Sequence, residues 1–464
     1  MLISFSVSNF LSFNEETVFS FEGGRVTKKE EHLYRDENLN IEILKFAALY
    51  GKNGSGKTNL LMSIDFLKEF VTKGRMRTYA QDAWCRCIKE NENKPSCFTI
   101  KILVDNQIYT YSLSLFLKTG LIQTEFLILH SGTRKIYLYK KDETEHGYIF
   151  DKRLKENRDI EVLSRTLDST NRPFLYCITK DAAMFFRNNP NAVVLQRIMN
   201  WFSQTLEVIF PDQPIQETSL KLDEKQFSLT EFSDLLREFD TGIVAIKKKK
   251  VSKEKVFEKL DTRLRQKIEM EIQLAMQFVA SPINHLADVF GIPRNFSYNM
   301  VVRSRYDIFI INLRSDGTVK YNSLKFVHNI NGNLEEFSMA KESDGTHRLF
   351  QLLEILVTKK EKVFVMDELS RCLHPNLTVQ FVKKYLDYAK NKKLQLLTTT
   401  HETKIMNHDI VRRDEIWIAD HKKDSSTTLF SLEDKKVRID KVMDENYIQN
   451  VWGGVPVFVE KYAQ

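Results

Sequence analysis

The stretch that most restricts what this chain can fold into is Gly51-Lys52-Asn53-Gly54-Ser55-Gly56-Lys57-Thr58, which fits G-x-x-x-x-G-K-[ST] without deviation. That pattern works only as a turn between a buried strand and a helix, because its backbone must wrap an anion while the helix start faces it. The flanks comply. Phe46 to Tyr50 (FAALY) is a short continuous apolar run, as expected of a buried parallel strand. From Lys57 the apolar residues Leu60, Leu61, Ile64, Leu67 and Phe70 recur at helical spacing. In such a loop the glycines let backbone N–H groups turn inward on a β-phosphate. Lys57 reaches the β- and γ-oxygens, and Thr58 offers its hydroxyl to Mg²⁺. The cofactors implied are ATP and Mg²⁺, with Asn53, Gly54, Ser55, Gly56, Lys57, Thr58 and Asn59 as the binding residues.

A phosphate cradle alone hydrolyses nothing, and a carboxylate pair at the end of another buried strand is the second requirement. Val363 to Met366 followed by Asp367 and Glu368 supplies it. Asp367 is expected to hold Mg²⁺ through its water shell, and Glu368 to polarise an attacking water. A further strand, Leu394 to Thr399, ends near His401, 34 residues after Asp367. Upstream, Ser343 and Gly345 precede a helix expected over Thr346 to Leu356. They form a second anion-binding end, or else a simple N-cap by Ser343 or Asp344. Since one chain already has its cradle, this second end suits the nucleotide of another copy, so an ATP-dependent homo-oligomer, at least a dimer, is expected.

The remaining chain organises around these motifs. Leu2 to Phe21 alternates apolar and polar residues as two strands, and residues 98 to 150 alternate again as an antiparallel region. Between about 160 and 290 the pattern reads as mostly helical. Leu264, Ile268, Ile272, Ala275 and Val279 form one amphipathic face, stopped by Ser281 and Pro282. Alternating strands and helices then return from 300 onward, which implies a parallel α/β sheet. The expected division is 1–155, 156–295 as a helical insertion for sensing or docking, and 296–464. The dense run Lys247 to Lys250 reads as a solvated loop, with an anionic partner such as nucleic acid as the alternative.

Composition excludes several classes. A charged fraction of 28% with 42% hydrophobic residues is that of a globular chain, and a net charge of +7 permits nucleic acid without demanding it. No window approaches the ~18 apolar residues of a membrane helix, and the start lacks a signal peptide's basic n-region, so a cytoplasmic protein without a membrane partner is expected. Five sparse cysteines (Cys85, Cys87, Cys97, Cys177 and Cys372) argue against a disulfide framework, and Cys85-x-Cys87 lacks the second pair a zinc site needs.

These motifs resemble the ATP-binding-cassette class that includes SMC, RecF and OLD-family ATPases. Ser343 and Gly345 match its signature, and His401 its γ-phosphate-contacting histidine. The match extends to AAA-type ATPases of bacterial abortive-infection and anti-phage operons, such as the ATPase subunits of PARIS- and RloB-associated systems. It runs through Asn9-Phe10-x-Ser12-Phe13, Phe239 to Ile243 (FDTGI), Glu342 to Phe350, Met366 to Pro375, Thr399 to Thr403, Arg412 to Trp417 (RRDEIW) and Gly453 to Pro456 (GGVP). The resemblance implies an α/β cassette head, a P-loop NTPase sheet plus an antiparallel β subdomain, with a mostly helical insertion. It also implies ATP hydrolysis with Glu368 and His401 as catalytic residues and Thr58 and Asp367 at the metal. As function it implies a sensor or scaffold that controls a separate effector, often a Toprim nuclease, on a phage-protein trigger. Two departures stand out: Gln81 is the nearest Q-loop candidate and lacks strand-end surroundings, and the signature reads SDG rather than SGG. A RecF- or SMC-like repair ATPase is the alternative, although the insertion lacks the sustained heptads of a tethering coiled coil. An OLD-like nuclease fits less well, because 63 residues after His401 are too few for a fused nuclease domain.

Overall fold

A computed structural model describes residues 1–141, 147–155, 160, 171–180, 193–211, 229–279, 297–304, 307–314, 316–434 and 443–455. The chain divides into two compact units. The first comprises Met1–Phe210, Lys360–Ser370 and Val382–Gln464, and the second Pro211–Lys359 and Arg371–Phe381.

The first unit is the mixed α/β head. Its six-stranded sheet runs Leu206–Ile209, Lys362–Met366, Leu394–Thr399, Phe46–Tyr50, Ile416–His421 and Thr427–Ser431. The first five strands are parallel, and only the last pairs antiparallel with its neighbour. Phe46–Tyr50 is buried at every residue, which is why it reads as a continuous apolar run rather than an alternation. The helix Lys57–Lys73 follows it and buries Leu60, Leu61, Ile64, Leu67 and Phe70, the face expected from their spacing. It ends at Gly74, whose N–H bonds the Phe70 carbonyl from a left-handed conformation.

The antiparallel subdomain is a seven-stranded sheet in the order Ile149–Phe150, Arg134–Lys141, Leu121–Ser131, Gln107–Phe116, Ser96–Val104, Leu2–Ser8 and Thr17–Ser20. Phe10, Phe66 and Phe98 pack with ring centroids 5.0–5.1 Å apart. Phe10 and Phe13 exchange backbone hydrogen bonds in a tight turn, flanked by left-handed Asn9 and Leu11 (φ 49° and 50°). Asn9 is locked there: its amide donates to the carbonyl of Asn91 and its oxygen accepts from the Cys85 N–H. Buried Glu125 collects the hydroxyls of Tyr111, Tyr139 and Tyr148 and the N–H of Phe174, which ties the helix Phe174–Lys180 to this sheet. The RRDEIW motif is a buried latch. Arg412 bonds Asp414 at 2.9 and 2.7 Å, and Glu415 accepts from the Arg412 N–H and meets His32 at 2.9 Å.

The second unit carries a five-stranded antiparallel sheet, Ile243–Lys250, Val319–Ile330, Ile308–Arg314 and Ser297–Arg303, with Asn333–Phe337 also paired to Val319–Ile330. The helix Thr262–Val279 lays Leu264, Ile268 and Ile272 in one core with Met300, Val302, Phe309 and Ile311.

Two expectations change. The described elements of 156–295 are mostly helices, as expected, but the two compact units do not follow the expected bounds. Leu206–Ile209 is an edge strand of the head's parallel sheet, paired with the carboxylate strand, so the first unit runs to Phe210; and of 296–464, residues up to Lys359 belong to the second unit. The Lys247 to Lys250 run is not a loop but the end of the strand Ile243–Lys250, held in register by Val319–Ile330. Lysine on a sheet edge discourages pairing with a stray strand, which is sufficient reason for the charge. The Ser281-Pro282 stop and Pro456 lie outside the described residues. All five cysteines are free thiols. No helix among the described residues is long and apolar enough to cross a membrane.

Candidate functional site

The three central strands Lys362–Met366, Leu394–Thr399 and Phe46–Tyr50 run parallel, so their C-terminal ends deliver the carboxylates, the histidine and the phosphate loop to one edge. The Thr58 hydroxyl, on the first turn of the loop helix, donates to Asp367 Oδ2 at 3.0 Å although 309 residues separate them. Lys57 Nζ lies inside the loop and donates to the carbonyls of Gly51 (2.7 Å) and Lys52 (3.0 Å). Burial lowers its pKa to about 8, against the pull of the Asp367 and Glu368 carboxylates.

Asp367 is buried and Glu368 exposed. Glu368 sits in a left-handed conformation (φ 50°) that a non-glycine residue adopts only when its surroundings impose it. The restraint is Thr399. Its hydroxyl accepts from the Glu368 N–H at 2.8 Å and donates to Asp367 Oδ1 at 2.5 Å, so one side chain orients both acidic residues. Leu369 N–H adds a bond to the Thr399 carbonyl, and Thr398 donates to the Met366 carbonyl. In the sequence Thr399 stands out only as the first residue of the Thr399 to Thr403 motif. The signal it carried was a hydroxyl at the end of a buried strand beside the carboxylate strand.

His401 follows directly. Its imidazole pKa is lowered first by partial burial and then by the Lys57 ammonium, with Asp367 opposing, which places it in the field of the phosphate loop. The buried Ser55 hydroxyl has no hydrogen-bond partner among the described residues, an orphan that a phosphate oxygen would satisfy. A Cβ on Gly56 would come within 2.1 Å of Thr427 Oγ1, so only glycine fits there. These observations fit a Mg²⁺–nucleotide: Ser55 and Lys57 would hold the phosphates, and Thr58 and Asp367 the metal. Asn59 is used differently from the other loop residues, since its side-chain amide donates to Ser12 Oγ at 2.8 Å. Asn53 and Gly54 form the exposed tip.

The GGVP region also reaches this loop. The Tyr447 hydroxyl donates to the Gly454 carbonyl at 3.1 Å and accepts from the Gly51 N–H, with its pKa pushed up to about 12 by burial.

Ser343 and Gly345 belong to the second unit. Ser343 is the N-cap of the helix Asp344–Val357 and accepts from the Thr346 N–H at 3.1 Å. Gly345 is required by close approach, because a Cβ there would lie 2.9 Å from the Cys372 carbonyl oxygen. Gln81 falls in a 3₁₀ turn, Thr78–Asp82, rather than at a strand end.

A phosphate loop on a parallel sheet, with a threonine-oriented acidic pair and a histidine at the same edge, defines a P-loop ATPase-type head. Consistent with this, residues 46–407 match the family described as "AAA domain, putative AbiEii toxin, Type IV TA system", and the chain belongs to that family. Among solved structures it is similar to the SMC head domain from Thermotoga maritima. The identity is 11%, with 93% of this chain and 98% of that one covered and a TM-score of 0.32. No curated protein matches.

Proposed function

We propose that this protein binds and hydrolyses ATP with Mg²⁺ and acts as the nucleotide-gated sensor or scaffold of an abortive-infection system, controlling a separate effector. The observation that carries the ATPase reading is the 3.0 Å bond from Thr58 to Asp367, which joins the phosphate loop to the carboxylate strand. In this reading Asn53 to Thr58 cradle the phosphates, with Thr58 and Asp367 at the metal. Bound Mg²⁺ supplies charge neutralisation at the phosphate oxygens. Glu368 accepts a proton from water, and His401 donates toward the terminal phosphate. Ser343 and Gly345 serve the nucleotide of a second copy, so ATP drives association of at least two chains.

The family's own description, with its reference to a toxin and a toxin–antitoxin system, supports the defence reading. We assign the toxic chemistry to a separate chain, as in the systems the sequence resembles. That effector is an operon neighbour, of Toprim type in the systems the sequence resembles, released or activated on a phage-protein trigger. Co-expression tests it. This chain alone should give neither toxicity nor phage protection, and with its neighbour it should give both, lost on Lys57→Ala. Nuclease activity of the purified single chain would overturn the division of labour, and stimulation by DNA ends without a partner would favour a repair role.

A further inference from the structure

Three segments far apart in sequence meet on the outer side of the phosphate loop. Asn59 Nδ2 lies 2.8 Å from Ser12 Oγ. Thr427 Oγ1 lies 2.7 Å from Ser12 Oγ and 2.9 Å from the Ser55 carbonyl oxygen. The Thr427 hydroxyl is the donor in both of its contacts, its one proton shared between Ser12 Oγ and the Ser55 carbonyl, and the Asn59 amide donates to Ser12. The result is a relay of contacts that ties the first turn of the loop helix, through Ser12 and Thr427 outside the loop, back to the loop at Ser55. The Thr427 N–H also donates to the Ser12 carbonyl at 2.7 Å, so the two outside residues are fastened to each other by backbone as well.

The consequence lies in one peptide plane. No cis peptide bond occurs among the described residues, so the Ser55 carbonyl and the Gly56 N–H point in opposite directions. With the carbonyl held outward by Thr427, the Gly56 N–H is aimed inward. The relay passes so close to Gly56 that a Cβ would fall 2.1 Å from Thr427 and 2.7 Å from Ser12. The tight turn at Phe10–Phe13, anchored by two buried rings and by Asn9, fixes Ser12 at its place in this relay.

We propose that Ser12 and Thr427 are positioning residues of the phosphate loop, which touch no nucleotide themselves but preset the Gly56 amide toward a phosphate. This rests on the nucleotide-binding reading above. It gives the Asn9-Phe10-x-Ser12-Phe13 motif a physical role: the aromatic residues and Asn9 hold the turn, and Ser12 is its working end.

The test compares full-length wild type, Thr427→Val, Thr427→Ser, Ser12→Ala and the Thr427→Val/Ser12→Ala double variant. Affinity for a fluorescent ATP analogue and amide hydrogen exchange of residues 51–60 without nucleotide are the readouts. Thr427→Val, of the same shape but without the donor, should weaken binding about tenfold. It should also speed exchange in the loop. Thr427→Ser should restore both to within about twofold, which a purely packing role of the methyl group does not predict. Because Ser12 and Thr427 belong to one hydrogen-bonded network, the double variant should be little worse than the poorer single one. Should Thr427→Val fail to fold, Ser12→Ala carries the same test from the other end of the relay. Wild-type affinity and unchanged loop exchange in folded Thr427→Val or Ser12→Ala overturn the relay alone. Failure of wild type to bind any ATP analogue overturns the nucleotide reading and the relay with it.

Discussion

Replacing Thr399 by valine probes the acidic edge of the site without touching a carboxylate. Valine matches threonine in shape, so packing is kept while two hydrogen bonds disappear: the one donated to Asp367 and the one accepted from the Glu368 N–H. A bond to a charged partner contributes about 1.5–3 kcal/mol, and at this buried position the loss should fall near ~2 kcal/mol. For a head of this size that is a fall of about 3 °C in the apparent Tm. The functional effect should be larger. The left-handed backbone of Glu368 loses the acceptor that restrains it, and the carboxylate no longer stands where it would polarise an attacking water. ATP affinity should stay within about threefold, because Lys57 and Thr58 are untouched, while single-turnover phosphate release should slow at least about tenfold. Thr399→Ser should recover most of both losses. Wild-type phosphate release by a folded Thr399→Val protein would refute the orienting role. Loss of ATP binding in step with turnover would show that Thr399 supports the loop rather than the carboxylates.

Other outcomes follow from the same geometry. Lys57, with its pKa lowered to about 8, must be protonated to meet a phosphate; ATP affinity should therefore be level below about pH 7 and weaken as pH rises through 8. Lys57→Arg should bind more weakly but without that pH dependence, measured as Kd from pH 6.5 to 9.5. Asp414→Asn, which strands the fully buried Arg412 without a charge partner, should cost about 3–5 kcal/mol and appear as a clear loss of thermal stability. Gly345→Val should force the Cys372 carbonyl away from the Asp344–Val357 helix start, and Ser343→Arg should add bulk there. Both should abolish ATP-dependent association in sedimentation while leaving nucleotide binding by the single chain intact.

What the sequence disclosed and what it withheld divide along contact range. The phosphate loop, its strand and its helix were legible because glycine spacing, a continuous apolar run and helical periodicity are local properties. The carboxylate strand was legible for the same reason. The edge strand Leu206–Ile209 was not: four residues next to a helical stretch carry little periodicity, and pairing with Lys362–Met366 is what makes them a strand. The lysine run likewise becomes strand only through its register with Val319–Ile330. Thr399, Ser12 and Thr427 were hidden as functional residues because their partners are distant, 415 residues apart for Ser12 and Thr427, and a lone hydroxyl has no pattern of its own. Ser343 caps its own helix, and because a capped N-terminus can still present N–H groups to a ligand, the cap is compatible with the role proposed for it toward a second copy.

Central to the proposed ATPase is a division of labour in which Lys57 would bind nucleotide and Glu368 would activate water. The most direct measurement is phosphate release in a single turnover by wild type and Glu368→Gln, at ATP concentrations where both are shown to be saturated. Wild type should release phosphate, while Glu368→Gln should hold ATP as tightly or more tightly and release phosphate at least about a hundredfold more slowly. Equal release rates from the two saturated proteins would contradict it.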